Sequence, residues 1–219
     1  MRSVGWSGKG KHHVENEDAY LQRDDVGLWA VADGVGGLSR GAQASQYLVN
    51  ALMALQPVND LGEDLPACLD LLETANRSLR QRSADSPMAS TLCGLLIAGG
   101  RCSVFWAGDS RAYRITRGRF YPLTEDHGGA AMGMADHVIT RAFGLADHIV
   151  IDRQVVDLGA EDQVLLCTDG FYSVLNQVAP SLLFGGIDCP GPDVVTYLNA
   201  VSSSEEFVDD ATWVLVNRR

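Results

Sequence analysis

No stretch of this 219-residue sequence approaches the ~20 consecutive apolar residues of a membrane-spanning helix. The segment Met1 to Lys11 holds no apolar core of the kind a secretory leader carries. These absences predict a cytoplasmic protein with no membrane insertion. Basic residues are also scarce, with 17 Lys and Arg against 28 Asp and Glu, a formal net charge of −11. A nucleic-acid backbone needs a basic surface, so no nucleic acid partner is expected. The five cysteines, Cys68, Cys93, Cys102, Cys167 and Cys189, are odd in number and form no CxxC pair. Cys93, Cys102 and Cys167 sit inside apolar runs and read as small hydrophobes in a reducing compartment. Internal repeats, low-complexity tracts and linkers are missing too, so residues 1–219 read as one domain.

What is present is an ordinary globular composition, 46% hydrophobic and 21% charged. A buried strand is expected over residues 27–32, ending at Asp33. A helix is expected over 39–56, with Ala44, Leu48, Ala51, Leu52 and Leu55 on one face. Asp64 is the expected cap of a second helix carrying Leu65, Cys68, Leu69, Leu72, Ala75 and Leu79. Short strands parted by glycines follow over 90–98, 102–108, 111–116 and 120–123, and read as an antiparallel meander. Strands over 150–158 and 163–168, a short helix over 170–176, a helix over 193–201 and a strand over 211–216 complete the pattern. Alternating βαβ units are absent. The fold class expected is α+β, with helices layered on antiparallel sheet.

Carboxylates recur at the ends of these strands. Glu17 and Asp18 open one; Asp33 follows Leu28-Trp-Ala-Val-Ala32; Asp109 follows Val104-Phe-Trp-Ala-Gly108; Asp169 follows Val164-Leu-Leu-Cys-Thr168; Asp209 and Asp210 precede the last. A buried aspartate costs free energy unless it is paired or coordinated. Taken singly, each is better read as a turn or cap residue. Their recurrence favours one shared cause, converging carboxylates held by hard dications such as Mg²⁺ or Mn²⁺. No histidine or cysteine cluster competes for zinc. The turn Asp33-Gly34-Val35-Gly36-Gly37 lets backbone approach an ion, and the Gly34 carbonyl is itself a candidate ligand. His127, after Asp126 in a loop, reads as a structural hydrogen bonder.

Eight segments occur in order: Asn16-Glu-Asp-Ala19, Val31-Ala-Asp-Gly-Val-Gly-Gly37, Ala89-Ser-Thr91, Ala107-Gly-Asp-Ser-Arg111, Leu123-Thr-Glu-Asp-His127, Ile139-Thr-Arg-Ala-Phe-Gly144, Cys167-Thr-Asp-Gly170 and Asp209-Asp-Ala-Thr212. Together they resemble the bacterial type 2C (PPM) serine/threonine protein phosphatases. The resemblance implies a layered α-β-β-α sandwich, two antiparallel sheets flanked by helices, with a metal cleft at one end. It implies hydrolysis of phosphoserine or phosphothreonine by a metal-activated water. Two Mn²⁺ or Mg²⁺ ions and a weaker third are expected. Asp33 would touch both principal ions and the Gly34 carbonyl one of them. Asp169 and Asp210 would ligate the other, Glu17 and Asp18 would hold metal-bound waters, and Asp109 with Asp169 would hold the third ion. Asp33, Asp169 and Asp210 would thus carry catalysis.

The implied partner is a phosphorylated protein, a Ser/Thr kinase or its target, with the phosphatase opposing a bacterial kinase. A pseudophosphatase that binds phosphoprotein without cleaving it is the alternative, and the intact aspartates speak against it. Three features depart from the family pattern. His13 stands where an arginine usually grips substrate phosphate, four residues before Glu17. Val35 and Leu38 stand where a histidine often sits near the DGxxG turn. The flap, about 128–138, is short.

Overall fold

The computed structural model describes residues 1–35, 40–83, 86–129, 139–178 and 193–218. In chain order the elements are β1 (Arg2–Gly8), β2 (Asp18–Arg23), β3 (Leu28–Asp33), α1 (Gly41–Met53), α2 (Leu61–Arg82), β4 (Leu92–Ala98), β5 (Arg101–Ala107), β6 (Arg111–Thr116), β7 (Arg119–Pro122), β8 (Asp152–Val156), β9 (Gln163–Cys167), α3 (Asp169–Val178), α4 (Val194–Ser204) and β10 (Ala211–Asn217). The strands form two five-stranded sheets, β1-β10-β9-β6-β7 and β2-β3-β4-β5-β8. Every pairing within them is antiparallel.

Side-chain alternation along the strands builds the layers. On β3, Leu28, Ala30 and Ala32 face a core shared with α1 and α2, through Leu48, Leu52, Leu72 and Leu79. Trp29 and Val31 face the other way, into a core between the sheets with Val164, Leu166, Val214 and Val216. On β10, Trp213 and Leu215 join a third core with Phe171 and Leu175 of α3 and Leu198 of α4. The order is helices, sheet, sheet, helices, as the motif resemblance implies. Each fully buried large side chain contributes about 1.5–3 kcal/mol.

The sequence-based elements need four corrections. The meander expected over 90–123 is divided between sheets, because β5 pairs with β4 and β8 while β6 pairs with β7 and β9. The chain therefore crosses from one sheet to the other at residues 108–110. Asp64 does not cap α2. Asp60 does, its carboxylate accepting from Gly62 N at 2.7 Å. Asp64 lies buried in the first turn and accepts from Val58 N at 2.8 Å. Helix α1 spans Gly41–Met53, shorter than the expected 39–56. Finally, β1 had no sequence signal. It is an edge strand, mostly half-buried, held by main-chain pairing to β10 from Arg2↔Asn217 to Gly8↔Ala211. Of the expected flap, only Gly128 and Gly129 fall among the described residues, and Gly128 bridges Ile139 at its base. No helix among the described residues is long and apolar enough to cross a membrane.

Candidate active site

Strand pairing brings the first two carboxylates together. Asp18 opens β2, Asp33 ends β3, and the antiparallel register sets them opposite each other. Asp33 is held at its backbone: Thr91 N donates to its carbonyl at 2.8 Å, and its own N–H donates to Thr91 Oγ1 at 3.3 Å. Thr91 Oγ1 in turn lies 2.8 Å from Ser110 Oγ, and both hydroxyls are buried. Gly34 follows, its N–H on the Glu17 carbonyl at 3.1 Å. A Cβ at Gly34 would come within 2.4 Å of the Gly41 carbonyl carbon, so only glycine lets β3 exit this close to α1. Glu17 lies at the same helix end, its carboxylate 2.8 Å from where a Gly41 Cβ would stand. Arg40, the residue before α1, caps nothing, so the helix N-terminus is open to a negative charge there.

Asp169 begins α3 and Asp210 precedes β10. Thr168 ties the two segments, donating its N–H to Thr212 O at 3.0 Å and accepting from Thr212 N on its hydroxyl at 2.9 Å. The Thr168 hydroxyl also reaches Asp18 Oδ2 at 2.8 Å. Asp33 and Asp169 meet side chain to side chain, a contact that raises Asp33 and pulls Asp169 down against the effect of burial. Burial pushes Asp18 up to about 8, against the pull of the Thr212 and Thr168 hydroxyls. Burial, then the charge of Asp169, pushes Asp109 up to about 7. Burial and the charges of Asp18, Asp169 and Asp109 hold Asp33 well above the carboxylate range. Asp169 is raised by burial and by Asp209, and Glu17 by burial.

Asp210 is bound differently. Its Oδ1 accepts from Gly10 N at 2.7 Å, and its Oδ2 accepts from Glu17 N at 2.6 Å and faces His13 Nδ1 at 2.8 Å. His13 Nε2 lies 3.3 Å from Asp209 Oδ1. His13, Asp209 and Asp210 thus form a compact group whose ligand-type atoms all lie within 4.8 Å of one another. Asp33 and Asp169 are not in that group. The expected site residues therefore fall into two adjoining sets, an inner one of Asp18, Asp33, Asp109 and Asp169, and a rim where His13 and Asp210 meet Asp209. Lys9 Nζ closes the rim loop on the His13 and Gly10 carbonyls at 2.5 and 3.1 Å.

Sequence reasoning did not single out Asp209, Thr91, Ser110 or Thr168 as site residues. Each stands inside one of the eight motifs, and that membership was the available signal. Arg111 and Asp126, also in the motifs, form a bidentate pair (2.9 and 2.6 Å), with the guanidinium 3.7 Å from the centre of the Tyr172 ring. They brace β6 against the 123–127 loop.

The inner set suits hard cations. Asp18 Oδ1, Asp109 Oδ1 and Asp169 Oδ1 are buried and have no hydrogen-bond partner. Several half-buried carboxylates that repel one another, with free oxygens and no thiolate among them, are the donor set that Mg²⁺ or Mn²⁺ takes.

Comparisons with known proteins agree with this geometry. PppA, described as a key regulatory component of T6SS in Pseudomonas aeruginosa, superposes with a TM-score of 0.85 at 29% identity, over 99% of this chain and 96% of that one. The PPM Ser-Thr phosphatase MsPP from Mycobacterium smegmatis, solved with cacodylate, superposes with a TM-score of 0.76 at 27% identity, over 99% and 98%. The serine/threonine protein phosphatase PstP of Mycobacterium tuberculosis is 33% identical over 131 residues, which are 58% of this chain and 25% of PstP. The chain thus spans about a quarter of that relative's length. The serine/threonine phosphatase stp of Listeria welshimeri is 27% identical over 77% of this chain and 76% of its own. A family profile described as Protein phosphatase 2C matches residues 10–185. With that profile covering most of the sequence, and with its strand-end aspartates gathered at one end of the sandwich, the chain belongs to the protein phosphatase 2C family.

Proposed function

We propose that this protein is a metal-dependent phosphatase of phosphoserine and phosphothreonine in proteins, working in the cytoplasm as one catalytic domain and opposing a bacterial Ser/Thr kinase. The family is metal-dependent, with Mn²⁺ or Mg²⁺ typical. The observation that carries the reading is the half-buried cluster of Asp18, Asp33, Asp109 and Asp169, with three buried oxygens that have no partner. Two divalent cations held there, with a third beside Asp109, supply an activated water and neutralise charge on the phosphoryl group.

The chain's own part is to hold and orient. Asp33, Asp169 and the Gly34 carbonyl would be the inner ligands, with Asp210 beside them at the rim, where Gly10 N, Glu17 N and His13 engage its oxygens. The Thr168 hydroxyl keeps Asp18 turned toward them, and Glu17 lies at the start of α1. Gly10 N and Glu17 N fix the Asp210 carboxylate. His13, half-exposed at the rim, is the candidate contact for substrate phosphate. A phosphatase role is also in keeping with the names of PstP, stp and MsPP. The description of PppA as a regulatory component supports a regulatory setting. Nothing favours a binding-only pseudophosphatase.

The test is hydrolysis of an aryl phosphate and of a phosphothreonine peptide by the purified protein. Both should be cleaved with added Mn²⁺ and stop with excess chelator. Asp33→Asn should lower kcat about 10³-fold at saturating Mn²⁺. Full turnover by metal-stripped protein, or near wild-type turnover by Asp33→Asn, would refute the assignment.

A further inference from the structure

The crossover from β5 to β6 is gripped from two sides. On one side the Ser110 hydroxyl meets Thr91 Oγ1 at 2.8 Å. On the other, His127 makes two bonds to a single residue, Gly108. The His127 N–H donates to the Gly108 carbonyl at 2.9 Å, and the Gly108 N–H donates to His127 Nδ1 at 3.0 Å. Gly108 has φ +115, and a Cβ there would stand 2.5 Å from Thr91 side-chain carbons, so the peptide has little room. Asp109 is the residue between the two gripped positions.

The ring can accept at Nδ1 only in one tautomer. A neutral imidazole with a lone pair on Nδ1 carries its proton on Nε2. That Nε2 lies 3.1 Å from Asp152 Oδ2, at the start of β8. Asp152 Oδ1 accepts from Arg141 Nη1 at 3.0 Å. Arg141 Nη1 also lies 3.0 Å from His127 Nε2; a guanidinium only donates, so that contact is a hydrogen bond only in the other tautomer, and in this one the two N–H groups share the Asp152 carboxylate. The opposite tautomer would set Nδ1–H against the Gly108 N–H and leave Asp152 Oδ2 facing a lone pair. The ring also stacks on Trp106, 7° from parallel, and the His127 carbonyl accepts from both Thr140 N and Thr140 Oγ1. Position and orientation are set by Trp106 and Thr140, and the Gly108 N–H and the Asp152 carboxylate together favour the Nε2–H tautomer.

We propose that His127 is a positioning residue for Asp109: its backbone and its Nδ1 clamp the Gly108 peptide, and Asp152 fixes the tautomer that makes the clamp possible. The proposal rests on the reading of Asp109 as a metal ligand. It assigns His127 no contact with substrate.

Two measurements test it, neither using turnover. In metal-free protein, long-range ¹H–¹⁵N correlation of the His127 ring should show the Nε2–H tautomer; an Nδ1–H ring would overturn the clamp. In Mn²⁺ titrations, Asp109→Asn should identify the uptake step that depends on Asp109, and unchanged uptake in that variant would overturn the proposal at its base. His127→Gln keeps a polar group near the Nε2 position but loses Nδ1, and should weaken that step about tenfold. His127→Asn places an acceptor near the Nδ1 position and should restore most of it, with both variants melting alike. Equal uptake by the Gln variant and wild type, or equal loss in the Asn and Gln variants, would overturn it. A wild-type protein that binds Mn²⁺ but cleaves no phosphopeptide would remove the phosphatase reading and leave the clamp standing.

Discussion

At His13 a titratable ring occupies the place where the type 2C pattern usually carries an arginine. Both ring nitrogens face carboxylates, Nδ1 on Asp210 at 2.8 Å and Nε2 on Asp209 at 3.3 Å. The hydrogen bond to Asp210 raises its pKa, against the opposing effect of burial. The proton therefore persists to higher pH than on a free histidine, and a phosphate group would find an imidazolium at the rim. Above that raised pKa the positive charge is lost and phosphate is held less well. KM for a phosphopeptide should accordingly rise as pH climbs through the His13 pKa. His13→Ala should raise KM and remove its pH dependence. His13→Arg, charged throughout and able to grip two oxygens, should lower KM by about 1–2 kcal/mol in binding and flatten its pH dependence. KM against pH for the three proteins checks this, and identical profiles would exclude His13 from phosphate binding. The pairing with Asp210 was not legible beforehand, because the two residues lie 197 positions apart and only the β1–β10 edge brings them together.

Among elements, what could be read in advance follows from burial. Strands β3, β4, β5, β9 and β10 are apolar on both faces because they lie between helices and the partner sheet, so they stand out as short hydrophobic runs. The edge strand β1 offers half-buried Ser, Gly and Trp and is specified by main-chain bonds, which leave no side-chain pattern. The crossover at 108–110 looked like any glycine-parted hairpin, since turn residues mark a reversal but not which sheet comes next. Strand-end aspartates were legible for the same reason the strands were, each closing an apolar run. Helix α2 has a role that its amphipathic spacing hides. Its buried Asn76 accepts from Gly144 N at 2.8 Å and donates to the Ala146 and Asp147 carbonyls at 3.0 and 3.3 Å. That one amide pins the 144–147 segment. Asn76→Leu would strand the buried Gly144 N–H and should destabilise the protein by about 1–3 kcal/mol in urea unfolding. An unchanged midpoint would mean the segment is held by its other contacts alone.

For the molecule as a whole, the inner carboxylates make stability depend on pH in an unusual direction. A carboxyl whose folded pKa lies above its unfolded value binds its proton more tightly when folded. Its stabilisation is complete below the unfolded value near 4 and is lost as pH rises through the folded one, at about 1.4 kcal/mol for each pH unit separating the two values. Asp109 at about 7 and Asp18 at about 8, with Asp33 and Asp169 also raised, place that loss between about pH 4 and 8. Metal-free protein should therefore melt at progressively lower temperature across that range. Mn²⁺ should raise the melting temperature more at about pH 8 than at about pH 5.5, because its ligands must shed protons to bind. Thermal scans in chelator and in Mn²⁺ check both, and a chelated melting temperature that is flat or rising with pH would contradict the cluster's electrostatics. The parentage of these carboxylates adds a mechanical consequence. Asp18, Asp33 and Asp109 ride on or leave one sheet, whereas Asp169 and Asp210 flank strands of the other. An ion shared between the two groups is a rivet through one end of the sandwich. The sheets could not slide apart at that end until the ion departed, so ion exit would time the fraying of the cleft, and chelation would loosen one end of the protein before the other.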